Sequence, residues 1–289
     1  MSDVLSPANP AAHKAWRASL SMNYERQGAS TVLRYRHDGP LRIFKSLYPE
    51  GPGICHNVVV HPPGGLVEGD QLAVDVRVAE GAHALVSTPG ATRFYLSDGT
   101  AATQTVRLRL ERGARLEWLP LETLAYSGCN GVNTLEMDLA EGAELLAWDV
   151  LSLGLPASDQ PFERGSFVQR MAWPGTWLEH ARMAASDALL LNSPLGLDGQ
   201  RCLGTLVLAC GTPFTRERRE LLLESLREQI DAHPLAARCG ATCPNDNVLV
   251  VRALSQQVEP VMQLWQALWA TLREHAWQLG TIQPRVWHV

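Results

Sequence analysis

Three stretches in the middle of the chain share one plan. They are DVRVAEGAHALVSTP (75–89), RLRLERGARLEWLPL (107–121) and EMDLAEGAELLAWDV (136–150). Each carries alternating apolar residues, charged residues, a Gly-Ala pair and a second apolar run. The pairs begin at Gly81, Gly113 and Gly142, so their spacings are 32 and 29 residues. Alternation with period two reads as strand, and glycine supplies the positive φ that a tight turn often needs. Each unit therefore reads as strand, turn, strand. One such unit cannot bury its apolar face alone, so near-periodic copies point to stacked β layers. The plainer alternative is an ordinary antiparallel protein with glycines at its hairpins.

The flanks agree with a mainly β chain. TVLRYRHDGPLRIFKSLYPE predicts two strands joined by a turn at Asp38-Gly39-Pro40. Val58 to Val60 predicts a short strand stopped by Pro62 and Pro63. Further strands are expected at Ser166 to Trp173, Thr176 to Ala185 and Leu203 to Cys210. The last third turns helical. TRERRELLLESLREQIDAH places Leu222, Leu223, Leu226 and Ile230 on one face, and Pro234 ends it. In EPVMQLWQALWATLREHAWQLG, Val261, Met262, Trp265, Leu268, Trp269 and Leu272 follow the helical period, and Gly280 stops it. The expected architecture is mainly β: stacked, partly β-helical sheets in one large domain, with a C-terminal pair of α-helices. Residues 1–20 read as a loose N-terminal arm. Residues 21–289 read as a single domain, β-rich over 30–212 and helical over 213–280.

Composition narrows the function classes. The net charge is −5, which argues against nucleic acid as the default partner. No run of 18 apolar residues predicts a transmembrane helix, and the first 20 residues lack the apolar core of a signal peptide. Six cysteines scattered through 289 residues are not a disulfide framework. A cytoplasmic location is the simplest expectation.

Candidate chemistry is sparse. HPPGGLVEGD (61–70) lacks the lysine and Ser/Thr of a phosphate loop, and Glu68 and Asp70 would repel a phosphate. His56 and His61 are five residues apart, on opposite faces of a strand. His233, Cys239 and Cys243 offer soft ligands without a standard zinc spacing. Cys129 sits between glycines without a base beside it in sequence. Glu111, Glu117, Glu122, Glu136, Glu141 and Glu144 contain possible acid/base pairs, as a β-solenoid hydrolase or lyase acting on carbohydrate would need. Trp277, Arg285 and Trp287 form a late aromatic and arginine cluster that suits a partner surface.

The stretch HPPGGLVEGDQLAVDVRVAEGAHALVSTPGATRFY resembles the signature of the urease accessory protein UreD (UreH) family. The matching residues are Gly64, Gly65, Gly69, Asp70, Gly81, Ala82, Thr88, Thr92, Arg93 and Tyr95. The likeness continues through LEWLPLETLAYSG, GLPASDQPFERGSF and the ending PRVW, over roughly residues 20 to 289. It departs from the family where a Gly-Arg-x-x-x-Gly-Glu pattern is replaced by Gly154, Leu155, Asp159 and Gln160. Any ion pair of that arginine and carboxylate is not carried over. Pro89 stands where a polar residue is common.

The resemblance implies a non-enzymatic maturation factor with a mainly β, partly β-helical fold. It implies binding to apo-urease and to UreF, with the GTPase UreG joining through UreF, in support of nickel delivery. No tightly bound cofactor is implied, only transient Ni2+. A transit path needs weak oxygen and imidazole ligands, since Ni2+ sits high in the affinity series and a tight cage would trap it. His61, Glu68 and Asp70 are candidates for such a path. A protein-interaction module without any link to metal is a further alternative.

Overall fold

In the computed structural model the described residues are 15–97 and 99–288. The chain begins with β1 (Arg17–Gln27) and β2 (Ser30–Asp38), an antiparallel hairpin. Then come β3 (Arg42–Ile43) and β4 (Ile54–Val60). The three Gly-Ala units follow. They run from β5 (Gln71–Val78) into β6 (His83–Ser87), from β8 (Ala102–Leu110) into β9 (Arg115–Leu119), and from β11 (Asn130–Leu139) into β12 (Glu144–Leu155). Short strands β7 (Thr92–Phe94) and β10 (Thr123–Ala125) lie between units. The remainder is β13 (Gln160–Pro161), β14 (Ser166–Trp173), β15 (Trp177–Ala184), α1 (Ala188–Asn192), β16 (Cys202–Cys210), α2 (Arg216–Asp231), β17 (Cys239–Asn245), β18 (Val248–Ser255) and α3 (Val258–Trp277).

These strands make two sheets. The first is seven-stranded, in the order β15-β14-β11-β8-β5-β1-β2. The second is eleven-stranded, with the main path β17-β18-β16-β12-β9-β6-β4-β3. The two strands of each Gly-Ala unit lie in different sheets, so the turn is a corner between layers rather than a hairpin. Successive units stack in parallel, β5 on β8 on β11 in one sheet and β6 on β9 on β12 in the other.

The Gly-Ala pair serves that corner. Gly81, Gly113 and Gly142 have φ of 66°, 61° and 71°. A Cβ at Gly81 or Gly113 would meet nothing within 4 Å, so backbone conformation alone demands glycine there. Ala82, Ala114 and Ala143 are buried, and each donates its N–H three residues back, at 3.0 Å. The corners also bond to one another: Gly81 N–H reaches Arg112 O and Gly113 N–H reaches Glu141 O, both at 3.2 Å. The recurrence in sequence is thus one coil of a stack.

Two cores result. Between the sheets lie the inward residues of β1, β5, β8 and β11, packed against Ala84, Val86, Leu116, Leu145 and Ala147. The far face of the eleven-stranded sheet carries Leu146, Trp148, Leu206, Leu208 and Val251, covered by Leu222, Leu226, Trp265, Leu268 and Trp269 of α2 and α3.

Three expectations need correction. β2 and β3 do not pair; the hairpin is β1–β2, turning at Gly28, and β3 pairs with β4. Gly39, at φ 69°, instead carries the chain from one sheet to the other, and a Cβ there would sit 2.4 Å from Arg17 O. The arm over 1–20 stops short: β1 starts at Arg17 and buries Ala18 and Leu20 against β5, while residues 1–14 lie outside the described residues. The helical stretch 213–280 is interrupted by the β17–β18 hairpin. The apolar run VLVV (248–251) is wholly buried beside β16, where the sheet overrides the helical surroundings.

Candidate functional site

Between the sheets is a cavity of about 210 Å3, and its polar lining is built by register. Gln104 of β8, Asn133 of β11 and Gln169 of β14 are direct cross-strand partners, so their side chains form one rung on the inner face of the first sheet. The next rung, Val106, Leu135 and Met171, is apolar and closes the cavity on one side. Asp149 of β12 lines the cavity from the opposite sheet.

Gln104 Nε2 donates to Asn133 Oδ1 at 3.2 Å, and Asn133 Nδ2 donates to Asp149 Oδ2 at 3.1 Å. Burial pushes the Asp149 carboxyl up to about 6, against the opposing pull of hydrogen bonds from Gln169 and Asn133. Asp149 keeps part of its surface and lines the cavity. Among the described residues no cation contributes to holding its carboxyl down, although Arg93 also lines the cavity. Gln169 Oε1 is buried without a hydrogen-bond partner. A carboxylate and an orphaned amide oxygen thus share a small polar chamber. Threonines 88, 92 and 123, His61 and Arg93 add to its polar lining. Burial lowers the His61 imidazole from its ordinary value, with nearby Asp70 pulling it back up, so the neutral, ligating form is favoured.

The family-motif residues build one wall of this chamber. Leu66 N–H donates to Arg93 O at 2.7 Å and Tyr95 N–H to Leu66 O at 2.9 Å, which joins the 64–70 loop to β7. Gly65 is required there because a Cβ would lie 2.2 Å from the Tyr95 ring. Gly64 and Gly69 have φ of 80° and 77°. The Arg93 guanidinium lies against Gly64. Thr88 Oγ1 donates to Gly90 O at 3.1 Å and accepts from Leu121 N at 2.9 Å. Thr92 N–H reaches Glu122 O.

Of the three candidates for an ion path, only His61 lines the cavity. Asp70 is buried and accepts from Trp16 N at 2.8 Å and Val67 N at 3.0 Å, which makes it a loop-holding residue. Glu68 is exposed and caps Thr100 N at 3.2 Å. Among the described residues no three His, Cys, Asp or Glu converge to hold a metal, and that includes His233 with Cys239 and Cys243. Cys129 is buried, and burial raises its thiol to about 12, which leaves it unreactive.

The late tryptophans are internal. Trp277 is buried; it donates to Glu144, meets His83 edge-on at 5.4 Å and lies under Arg115. Trp287 donates to Ser87 Oγ at 3.0 Å and packs on Trp148 and Trp269 at 5.2 and 5.1 Å. Of that cluster only Arg285 is exposed, while Trp287 is half-buried. Of the six carboxylates suited to a hydrolase, Glu111, Glu117, Glu136, Glu141 and Glu144 pair with arginines.

Sequence reasoning missed Asp149 and its rung. One signal was available: Asp149 is the lone charge in LLAWDVLSLGL, at an inward position of an apolar strand.

Among the described residues no helix is long and apolar enough to cross a membrane. The family model described as UreD urease accessory protein matches residues 16–288. A urease accessory protein UreD of Polaromonas naphthalenivorans is 54% identical over 272 residues, covering 94% of this chain and 99% of that protein. Those of Variovorax paradoxus and Leptothrix cholodnii are 52% and 50% identical, with the same coverage. With nearly the whole chain matched, this protein belongs to the UreD family of urease accessory proteins.

Proposed function

We propose that this chain acts in urease maturation as a non-catalytic scaffold that passes Ni2+ through its interior to apo-urease. In this reading it binds apo-urease and UreF, and the GTPase UreG supplies nucleotide chemistry through UreF. Nickel is cargo, held briefly.

The observation that carries the reading is Asp149, a carboxylate drawn out of solvent whose raised value no cation offsets, in a polar chamber that Arg93 also lines. A protein interior rarely keeps such a group, because an uncompensated buried charge costs several kcal/mol. A passing divalent cation compensates it. One carboxylate, amide oxygens, hydroxyls and a neutral imidazole make a weak set, and weak binding lets the ion leave. Glu68 and Asp70 are engaged in loop structure, so they are not the ligands in this reading.

The experiment replaces Asp149 with Asn in the native host. Urease nickel content and activity should fall, while the variant still co-purifies with its partners. Nickel content equal to wild type sinks the cavity route. Deletion of the whole gene without effect on urease nickel content sinks the maturation role itself.

A further inference from the structure

One end of the molecule departs from the acidity of the whole. Residues 34–48 carry Arg34, Arg36, Arg42 and Lys45, all exposed, against a single carboxylate, Asp38. The whole chain has net charge −5. The same stretch exposes four large apolar side chains: Tyr35, Phe44, Leu47 and Tyr48, at 50%, 53%, 53% and 40%. Among the described residues Arg34 meets half-exposed Glu25 at 3.4 Å.

This stretch contains an open strand edge. β2 is the last strand of the seven-stranded sheet and, among the described residues, pairs only with β1. In an antiparallel pair, residues bonded to the neighbour alternate with residues whose N–H and C=O point away. Thr31 points away: its N–H reaches Pro52 O at 2.9 Å, and its O accepts from the Tyr48 hydroxyl at 3.0 Å. By alternation Leu33, Tyr35 and His37 point the same way. The Leu33 backbone is bonded to the Cys55 thiol. Among the described residues, the backbone groups of Tyr35 and His37 have no partner.

An edge of this kind is a template for another strand. A second copy fits poorly, since antiparallel pairing of two β2 edges centred on Tyr35 sets Arg34 against Arg36 twice. Acidic side chains at alternate positions would meet those arginines with the opposite sign. Basic and aromatic groups together also suit single-stranded nucleic acid. The unpaired backbone ladder favours a peptide, because nucleic acid has no use for it.

We propose that the β2 edge docks an extended acidic segment of a partner protein. The segment adds backbone to backbone at Tyr35 and His37, sets alternate carboxylates against Arg34 and Arg36, and lays its other side chains beside the Tyr35 and His37 rings. The surface is separate from the internal cavity and does not depend on the nickel reading.

The test uses the full chain and a fluorescein-labelled peptide of alternating glutamate and valine, followed by fluorescence anisotropy. Saturable binding is expected, with slowed amide exchange at Tyr35 and His37. The double variant Arg34→Glu, Arg36→Glu should lose about tenfold or more in affinity. Both arginines are exposed, so its melting temperature should match wild type; if it does not, Arg34→Gln with Arg36→Gln takes its place. A peptide N-methylated on its bonding edge should fail to bind, as should one with lysine for glutamate. Absence of binding by the acidic peptide, equal binding by the N-methylated one, or binding of oligothymidylate in preference to the peptide overturns the proposal.

Discussion

Glu117, fully buried, and Asp149, half-buried, are two carboxylates on opposite faces of the same sheet, and they are treated in opposite ways. Glu117 faces the helices. It receives the His83 imidazole at 2.8 Å, Arg273 Nη1 at 2.7 Å and the Trp269 indole N–H at 2.6 Å. Burial alone would raise its carboxyl, but His83, Arg273 and Trp269 outweigh burial and hold it below its ordinary value. Asp149 faces the other sheet and meets only amides, so burial wins and its carboxyl rises to about 6. Both groups are drawn away from bulk water, Glu117 fully and Asp149 in part; what separates them further is the charge of their neighbours. A satisfied charge fastens a helix to a sheet. An unsatisfied one is left with capacity for a cation.

The largest expected effect breaks the satisfied side. Arg273 donates to Glu117, to Glu50 and, at 2.9 Å, to Gly280 O, with its guanidinium over Trp269. Arg273→Ala leaves Glu117 buried with only His83 and Trp269 to answer it, and losing one member of a buried pair costs about 3–5 kcal/mol. Urea denaturation at pH 7 should show that loss. A cost below about 1 kcal/mol would mean that Glu117 finds water or takes up a proton, and the contrast with Asp149 would dissolve.

The two sides differ in legibility for a physical reason. The Gly-Ala units declared stacked layers because a corner that must repeat needs the same positive φ and the same small buried residue each time. The α3 face was equally plain, since Trp265, Leu268 and Trp269 keep helical spacing. The polar rung was hidden. Gln104, Asn133 and Gln169 are far apart in sequence and become neighbours only through parallel register. Trp277 and Trp287 misled because a cluster of aromatics near a terminus reads alike whether it packs inward or outward. Nothing in the residues alone announces that Glu144 and Ser87 await their indole N–H groups.

The second prediction tests the unsatisfied side. A carboxyl whose folded value is raised favours the protonated fold. Its stabilising contribution is complete below about pH 4 and is lost as pH rises through about 6. At pH 7 the charged form therefore costs up to about 3 kcal/mol, from roughly two pH units at 1.4 kcal/mol each. Asp149→Asn keeps the shape and removes that cost. It should stabilise the chain at pH 7 by about 2–3 kcal/mol, with little change at pH 4, in parallel denaturation series. This opposes its expected effect on urease nickel content. A variant that is more stable yet fails in maturation separates function from folding, whereas a destabilised one would show that Asp149 is structural.

The smallest effect asks whether the two regions are coupled. Trp148 lines the cavity, and its indole N–H donates to Pro120 O at 2.6 Å. Trp287 packs on it from the helix side and bonds Ser87, whose hydroxyl donates to Leu119 O at 2.7 Å. Trp287→Ala removes a half-buried ring and one hydrogen bond, a loss of about 1–2 kcal/mol. Stability alone does not settle coupling; the titration of Asp149 does. If the sheet is a rigid partition, the carboxyl of Asp149 stays near 6 in the variant, as read by carbon NMR on labelled aspartate. If Trp287 holds Trp148 in the cavity wall, its loss admits water, desolvation weakens, and the Asp149 carboxyl falls back toward its ordinary range. In that case the C-terminal tryptophan, expected on a partner surface, governs how dry the chamber is.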